Sequence, residues 1–503
     1  MKAASGKASV NKIFTAMAWL VIAVGIVLRL VIYFQNRNLI IDEANIVRNL
    51  FERGFIGLLK PLNYEQYAPP FFLWVEKLSA IIGGYGEKVL KSFPLLCGCG
   101  MLVLLYDILK RLIDKNLAWL PLALVAFSPY FIEFSATIKQ YISDSFIVLF
   151  LLWLALRIDI FTAPRKKFFI YWSIAGIAAI LFSMPSVFML TAVGLYYAWL
   201  CFIEKKWDYT MLLLGLAGVW MAAFAVYFFT ILRPQINSSY LQSYHFDYFL
   251  YGMPKNSEEW QHNWTRIKEL INNATGYGMY NYKAAFLLLP FALIYLFIKR
   301  FHLFLLITVP VFITLLAAAL NQFSLIMRVS LFLLPLLVLL FAIGLDVFWR
   351  IRFPVFKIAI LILGYIMINS FNAFNWFHER LGFHEITEGM DYLKSKNVKG
   401  DQLFVHAAST PTYIYYTGIQ PDHQKYESLC GAHLMSWDSN YTAVTNNVKD
   451  TVYFLYTGGF PEEEKQKRTH QIETNLQQVF YFEKYVCFVY GYAPKTDSTQ
   501  VIH

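Results

Sequence analysis

The sequence predicts an all-α polytopic membrane domain that carries a small α/β domain at its carboxyl end. Three observations predict it. Of 503 residues, 58% are hydrophobic and only 15% charged, against about 25% charged in soluble domains. The apolar residues fall in long blocks, many of 18 or more, through the first three quarters of the chain, the length a bilayer demands of a helix. From about residue 375 the composition becomes that of a soluble domain. Aromatics reach 18%, with 13 Trp and 33 Tyr, enough to furnish two interfacial belts.

The first span covers residues 13–33, after Lys2, Lys7 and Lys12. It is longer than a signal-peptide core and lacks a small-x-small cleavage site, so its amino end is placed in the cytoplasm. Residues 35–87 form a first outer loop, in which Pro69-Pro70 opens a helix and Gly83-Gly84 closes it; that helix is too short to span and is placed at the interface. Spans follow at 89–109 and 117–131, the latter stopping at Ser128-Pro129. A second outer loop at 132–144 leads to spans at 145–156, 168–182, 186–203 and 209–232. A third loop at 233–282, rich in Asn, Tyr and Trp, precedes spans at 284–298, 302–320, 325–348 and 355–368.

Charge checks this alternation. Each inward turn carries Lys or Arg, as in Lys110-Arg111, Arg165-Lys166-Lys167, Lys205-Lys206, Lys299-Arg300, and Arg350 with Arg352, while the outward turns are mixed or acidic. About eleven spans result, which leaves the carboxyl-terminal segment outside the cytoplasm. The chain thus divides into a membrane domain at 1–374 and a soluble extracytoplasmic domain at 375–503. Within the latter, helices at 383–394, 410–417 and 461–478 alternate with strands at 402–406, 451–456 and 485–492, the pattern of an α/β domain. Its Cys430 and Cys487 would face an oxidising compartment and could pair there.

Several function classes are excluded. The net charge of +10 is spread over short loops between apolar runs, where topology uses it, and no basic patch for nucleic acid gathers on one soluble segment. There is no phosphate-binding glycine loop, no HExxH and no paired C-x-x-C, so nothing points to an ATPase, a zinc protease or a redox enzyme. Cys97 and Cys99 lie inside an apolar run and are read as packing.

The polar clusters all fall on the outer side. Asp42-Glu43 opens the first loop, Glu133 begins the second, Lys139-Gln-Tyr141-Ile-Ser-Asp144 ends it, and Arg328 starts the tenth span. Carboxylates and cations at one membrane face suit chemistry on a phosphate-linked lipid, with cations on the phosphate and a carboxylate deprotonating an acceptor hydroxyl. Interfacial residues of any membrane protein could supply the same composition.

Order and sidedness decide between these readings. A span, an Asp-Glu pair, a Pro-Pro helix, a Ser-Pro turn and Lys-Gln-Tyr-x-x-Asp, followed by Arg328 ahead of Leu331-Phe-Leu-Leu-Pro335, together resemble the GT-C glycosyltransferases. The nearest branch is the bacterial one of protein O-mannosyltransferases and lipid A aminoarabinose transferases (ArnT-like). The resemblance covers residues 12–372. It implies a multi-pass protein of the bacterial inner (plasma) membrane, with its active site and carboxyl domain outside the cytoplasm. A polyprenyl-phosphate-linked donor would give its sugar, with inversion, to a lipid, glycan or protein acceptor. It further implies Asp42 as general base, Glu43 and Asp144 as its catalytic neighbours, and Lys139, Tyr141, Arg328 and Glu133 as substrate-binding residues. The carboxylates fit a metal-free site or one in which Asp42 and Asp144 hold a divalent cation.

One departure stands out. Relatives carry Lys or His before the proline that opens the loop-one helix, where this chain has Ala68; a phosphate contact must come from elsewhere. The alternative reading, a transporter or flippase for a lipid-linked glycan, calls for inverted repeats and ionisable residues at mid-span. Here the polar groups gather on the outer face instead.

Overall fold

The computed structural model describes residues 2–236, 243–277, 279–351, 353–377, 384–446, 448–458 and 462–495. Among them, six helices are long and apolar enough to cross a membrane: Lys12–Gln35, Glu87–Leu112, Ser186–Ile203, Trp207–Leu232, Phe301–Ala319 and Pro354–Asn375. Leu333–Trp349 is apolar but shorter. The chain forms two compact units.

The first unit spans Met1–Phe34, Ile56–Val75 and Lys91–Glu379. The third expected span is broken: its helix, Trp119–Phe127, ends where Ser128 turns extended ahead of Pro129. Pro129 has no N–H to offer the carbonyl of Val125. Arg29, fully buried in the first helix, takes that place. Its guanidinium donates to Val125 O at 3.3 Å, Ala126 O at 3.0 Å and Gly25 O at 2.9 Å. Gly25 makes this approach possible, because a Cβ there would lie 2.9 Å from that of Ala126. A membrane-embedded cation and a helix break thus satisfy each other.

Two further segments differ from expectation in the same unit. The third outer loop contains a 19-residue helix, Ser257–Thr275, whose N-cap Asn256 accepts from Glu259 N at 2.9 Å. Residues 237–242 and 278 of that loop lie outside the described residues. The tenth span begins with a one-turn helix, Met327–Ser330, ahead of Leu333–Trp349.

The second unit joins Gln35–Phe55 and Glu76–Leu90 to Arg380–His503. Its sheet runs β2-β1-β3-β5-β4, with β1 Leu403–Val405, β2 His433–Leu434, β3 Val452–Thr457, β4 Leu476–Lys484 and β5 Cys487–Pro494. β1 pairs parallel with β2 and β3, while β5 pairs antiparallel with β3 and β4. The structure adds β2 and β4 to the expected strands. The charged helix ends at Glu473, and Leu476 starts β4 instead of prolonging it. Cys430 and Cys487 are both free thiols.

Segments of the first outer loop are stitched to the carboxyl-terminal residues of this unit. Asn38 Oδ1 accepts from Thr387 N and Oγ1, both at 2.9 Å, and Asn38 N donates to Glu385 Oε1 at 3.1 Å. Leu39 N donates to the Tyr416 hydroxyl at 3.2 Å, and that hydroxyl donates to Glu87. Tyr415 donates to the carbonyl of Tyr85 at 2.8 Å. The sheet domain therefore holds the backbone immediately before the Asp-Glu pair.

Candidate active site

Asp42 and Glu43 occupy the first turn of the helix Ile41–Glu52, where the exposed N–H groups and the helix dipole favour acids. The two carboxylates have different surroundings. Glu43 is fully buried, accepts from Ile40 N at 3.0 Å and meets the Arg37 guanidinium in a fork at 2.6 and 3.2 Å. Arg37 is buried too and also donates to Asn38 O at 3.0 Å. Glu43, expected as a catalytic neighbour of Asp42, has its carboxylate held by Arg37 and by the backbone of the turn. Asp42 remains half-buried, the more accessible carboxylate of the pair.

A second cluster lies in the first unit, built by the 56–75 segment, the second outer loop and the end of the seventh expected span. Lys139, almost completely buried, donates from Nζ to Gln66 Oε1 at 2.5 Å. The hydroxyls of Tyr67 and Tyr227 hydrogen-bond each other, and Asp144 lies within electrostatic reach of both. Burial first, then Tyr227 and Asp144, pushes the Tyr67 hydroxyl well above its usual range, so Tyr67 stays neutral. Asp144 is buried in the first turn of the helix Tyr141–Arg157, and its Oδ1 has no hydrogen-bond partner. Tyr141 is buried as well, its ring edge-on to Phe134 at 5.3 Å.

Lys139 answers the departure noted at Ala68. Ala68 is buried, and the cation that the loop-one stretch lacks arrives two residues earlier in sequence, at Gln66, from the second loop. Gln66 and Tyr227 belong to this cluster, and sequence reasoning singled out neither. Neither belongs to a charged motif, and Tyr227 sits inside an apolar run with no signal of its own.

The remaining expected residues lie in other surroundings. Arg328 lies over the ring of Tyr244 at 5.2 Å, where the third loop is fastened by His245 Nδ1 to Ser324 Oγ at 2.9 Å and by Leu325 N to Tyr248 O at 3.0 Å. Glu133 is half-buried near Tyr277, whose hydroxyl is raised by burial, then Tyr130, then Glu133. Glu76, on the helix Pro70–Gly83, is fully buried with neither carboxylate oxygen hydrogen-bonded; burial pushes its carboxyl well above the usual range. Among the described residues no three of His, Cys, Asp and Glu gather as a metal cluster.

Residues 67–228 match the family model of dolichyl-phosphate-mannose-protein mannosyltransferases. The fold is that of two crystal structures of ArnT from Cupriavidus metallidurans. To the structure bound to undecaprenyl phosphate the chain is 13% identical with a TM-score of 0.54, over 95% of this chain and 97% of that one. To the apo structure it is 14% identical with a TM-score of 0.53, over 97% and 98%. No curated protein sequence matches the chain.

Proposed function

We propose that the chain, with an ArnT-like fold and a mannosyltransferase-family match across its second outer loop, is a membrane glycosyltransferase that uses a polyprenyl-phosphate-linked sugar. The observation that carries this reading is Lys139, a buried ammonium held 2.5 Å from Gln66 beside the position where relatives place a cation. A cation buried in a polar cluster has lost most of its hydration, and an anion that binds beside it offsets part of that cost. A lipid phosphate is such an anion, and it gains charge as the sugar leaves, so a fixed cation stabilises the transition state more than the ground state.

Asp42 is the general base of the proposal, taking the acceptor hydroxyl proton as oxygen attacks the sugar carbon and the C–O bond to phosphate breaks, with inversion. Arg328 is the second phosphate cation, while Tyr141 and Glu133 are assigned to substrate. Glu43 holds the Asp42 turn in shape through Arg37. In a metal-dependent form of the reaction, Asp144, whose buried Oδ1 has no hydrogen-bond partner, would be a protein ligand of the divalent cation. The chemistry is placed at the extracytoplasmic face of the plasma membrane, with eleven crossings and a lipid, glycan or protein acceptor.

The test is transfer itself. Purified protein in liposomes, given a polyprenyl-phosphate sugar and cell-envelope lipid extract, is expected to yield a glycosylated product and free polyprenyl phosphate. Passage of the intact donor across the bilayer with no cleavage would instead establish the flippase reading.

A further inference from the structure

We infer that a groove between membrane helices of the first unit is a site for an anionic phospholipid of the cytoplasmic leaflet, distinct from the donor site. The groove encloses about 780 Å³, within the range that takes whole small ligands, roughly 300–1,000 Å³. Leu190, Gly194 and Ala198 of the helix Ser186–Ile203 form one wall, and Leu213, Ala217 and Met221 of the next helix form the other.

The wall is mostly apolar. Three polar side chains of its lining are engaged within the protein: Thr191 Oγ1 donates to Val187 O at 2.9 Å, the Tyr197 hydroxyl to Ile158 O at 2.9 Å, and Trp220 Nε1 to Trp172 O at 2.9 Å. Water gains few hydrogen bonds there, whereas an acyl chain fills it at no such cost. Gly194 keeps the space open. A Cβ at that position would find only Trp220 at 3.9 Å, so a longer side chain would project into the groove without moving backbone.

The mouth selects the head group. At the end of Ser186–Ile203 the chain reverses through Lys205 at φ 51°, with Lys205 N on Phe202 O at 3.2 Å and Lys206 N on Cys201 O at 2.9 Å. This turn sets the exposed Lys205 and Lys206 beside Phe202 and Trp207, whose rings meet edge-on at 5.7 Å in the groove lining. Of the two acids of the turn, Glu204 and Asp208, Asp208 is paired with Arg165. Lys166 and Lys167, also exposed, follow Arg165. Apolar groove, aromatic rim and basic collar together match one amphiphile with acyl chains and an anionic phosphate. The orientation proposed above puts this collar on the cytoplasmic side, so a donor phosphate at the outer face is a different ligand.

Native mass spectrometry of the full chain, titrated with phosphatidylglycerol and with phosphatidylcholine, tests the site without any transfer assay. Wild type is expected to retain phosphatidylglycerol in preference. Gly194→Leu is expected to lower that retention at least tenfold, while Gly218→Leu, where a Cβ meets nothing within 4 Å, leaves it unchanged and controls for folding. Lys205→Gln with Lys206→Gln is expected to weaken the anionic preference about fivefold per lysine but to spare phosphatidylcholine. Equal retention of both lipids by wild type, or retention indifferent to Gly194→Leu, overturns the proposal. So does displacement of phosphatidylglycerol from the groove by polyprenyl phosphate, which would make the groove part of the donor site.

Discussion

Lys139 reaches Gln66 across 2.5 Å and so brings the cation of the second outer loop to the stretch that ends at Ala68. If this ammonium holds the donor phosphate, its loss acts on the donor and on bond breaking. Lys139→Met is expected to lower transfer by roughly 10²-fold, the scale of removing one fixed donor at a developing charge. The KM for the polyprenyl donor should rise, with acceptor KM unchanged. Gln66→Leu removes only the partner and should cost less, about tenfold. Donor titrations on protein of normal melting temperature check both, and unchanged donor kinetics in Lys139→Met would sink the assignment.

The Asp-Glu pair separates into two different experiments. Asp42→Asn is expected to lower transfer by about 10²- to 10⁴-fold, the usual range for a general base, with insertion and melting intact. Glu43→Gln leaves the Arg37 guanidinium buried without its carboxylate, a loss of roughly 3–5 kcal/mol, read as a fall in melting temperature. Replacing Arg37 and Glu43 together by Met should recover most of that stability. A Glu43→Gln protein that melts normally yet fails to transfer would return Glu43 to the chemistry.

Much of this was legible in the sequence because the membrane writes it plainly. Apolar block length, inward Lys and Arg, and outward acids led to the long helices and the α/β tail. What stayed hidden depends on long-range partners. Nothing near Gln66 names Lys139, 73 positions away, and nothing near Pro129 names Arg29. The helix Ser257–Thr275 was readable, since Asn256 and Glu259 stand at capping-box spacing, but the Asn, Tyr and Trp around it resemble an interfacial loop. Strand β4 was masked by the charged helix before it. It lies at an edge of the sheet with most of its residues exposed, which permits Gln, Glu and Lys that dilute the apolar signal.

Arg29 offers a stability prediction that is independent of chemistry. Its three carbonyl partners include the two left by the break at Pro129. Arg29→Leu strips both and is expected to cost on the order of 3 kcal/mol, since bonds to a charged donor are worth about 1.5–3 kcal/mol each and partial relaxation follows. Arg29→Lys, with one donor head in place of a fork, should lie between the two. Thermal melting in detergent orders the three proteins, and equal melting of Arg29→Leu and wild type would remove the capping role.

Two buried groups set opposite limbs of a pH–stability profile. Burial, then Arg468, lowers His406 from 6.5 to about 3, and its Nδ1 accepts from Ala408 N at 3.1 Å while the ring stacks on Tyr456. The unfolded chain therefore binds a proton that the folded one refuses between pH 6.5 and about 3. Stability should fall with acidification through that window, by at most about 1.4 kcal/mol per pH unit. His406→Asn keeps an acceptor for Ala408 and should flatten the acid limb. Glu76 runs the other way: its carboxyl is raised above 4.5, so the folded state holds a proton the unfolded state loses, and stability falls as pH rises from about 4.5. Glu76→Gln should flatten that limb, and melting temperatures between pH 4 and 9 read both.

Cys430 and Cys487 turn orientation into a labelling experiment. Cys430 is exposed, whereas Cys487 is buried in β5 against the helix Ile386–Ser395, where a Cβ on Gly389 would lie 2.6 Å from its Sγ. Burial also pushes the Cys487 thiol up to about 12, leaving little thiolate to react. With the carboxyl domain outside the cytoplasm, a membrane-impermeant maleimide added to intact spheroplasts is expected to label one thiol of this domain, and Cys430→Ser should abolish that signal. Cys487 should react only after denaturation. Labelling of Cys430 solely after the membrane is opened would place the domain in the cytoplasm, and with it the face assigned to sugar transfer.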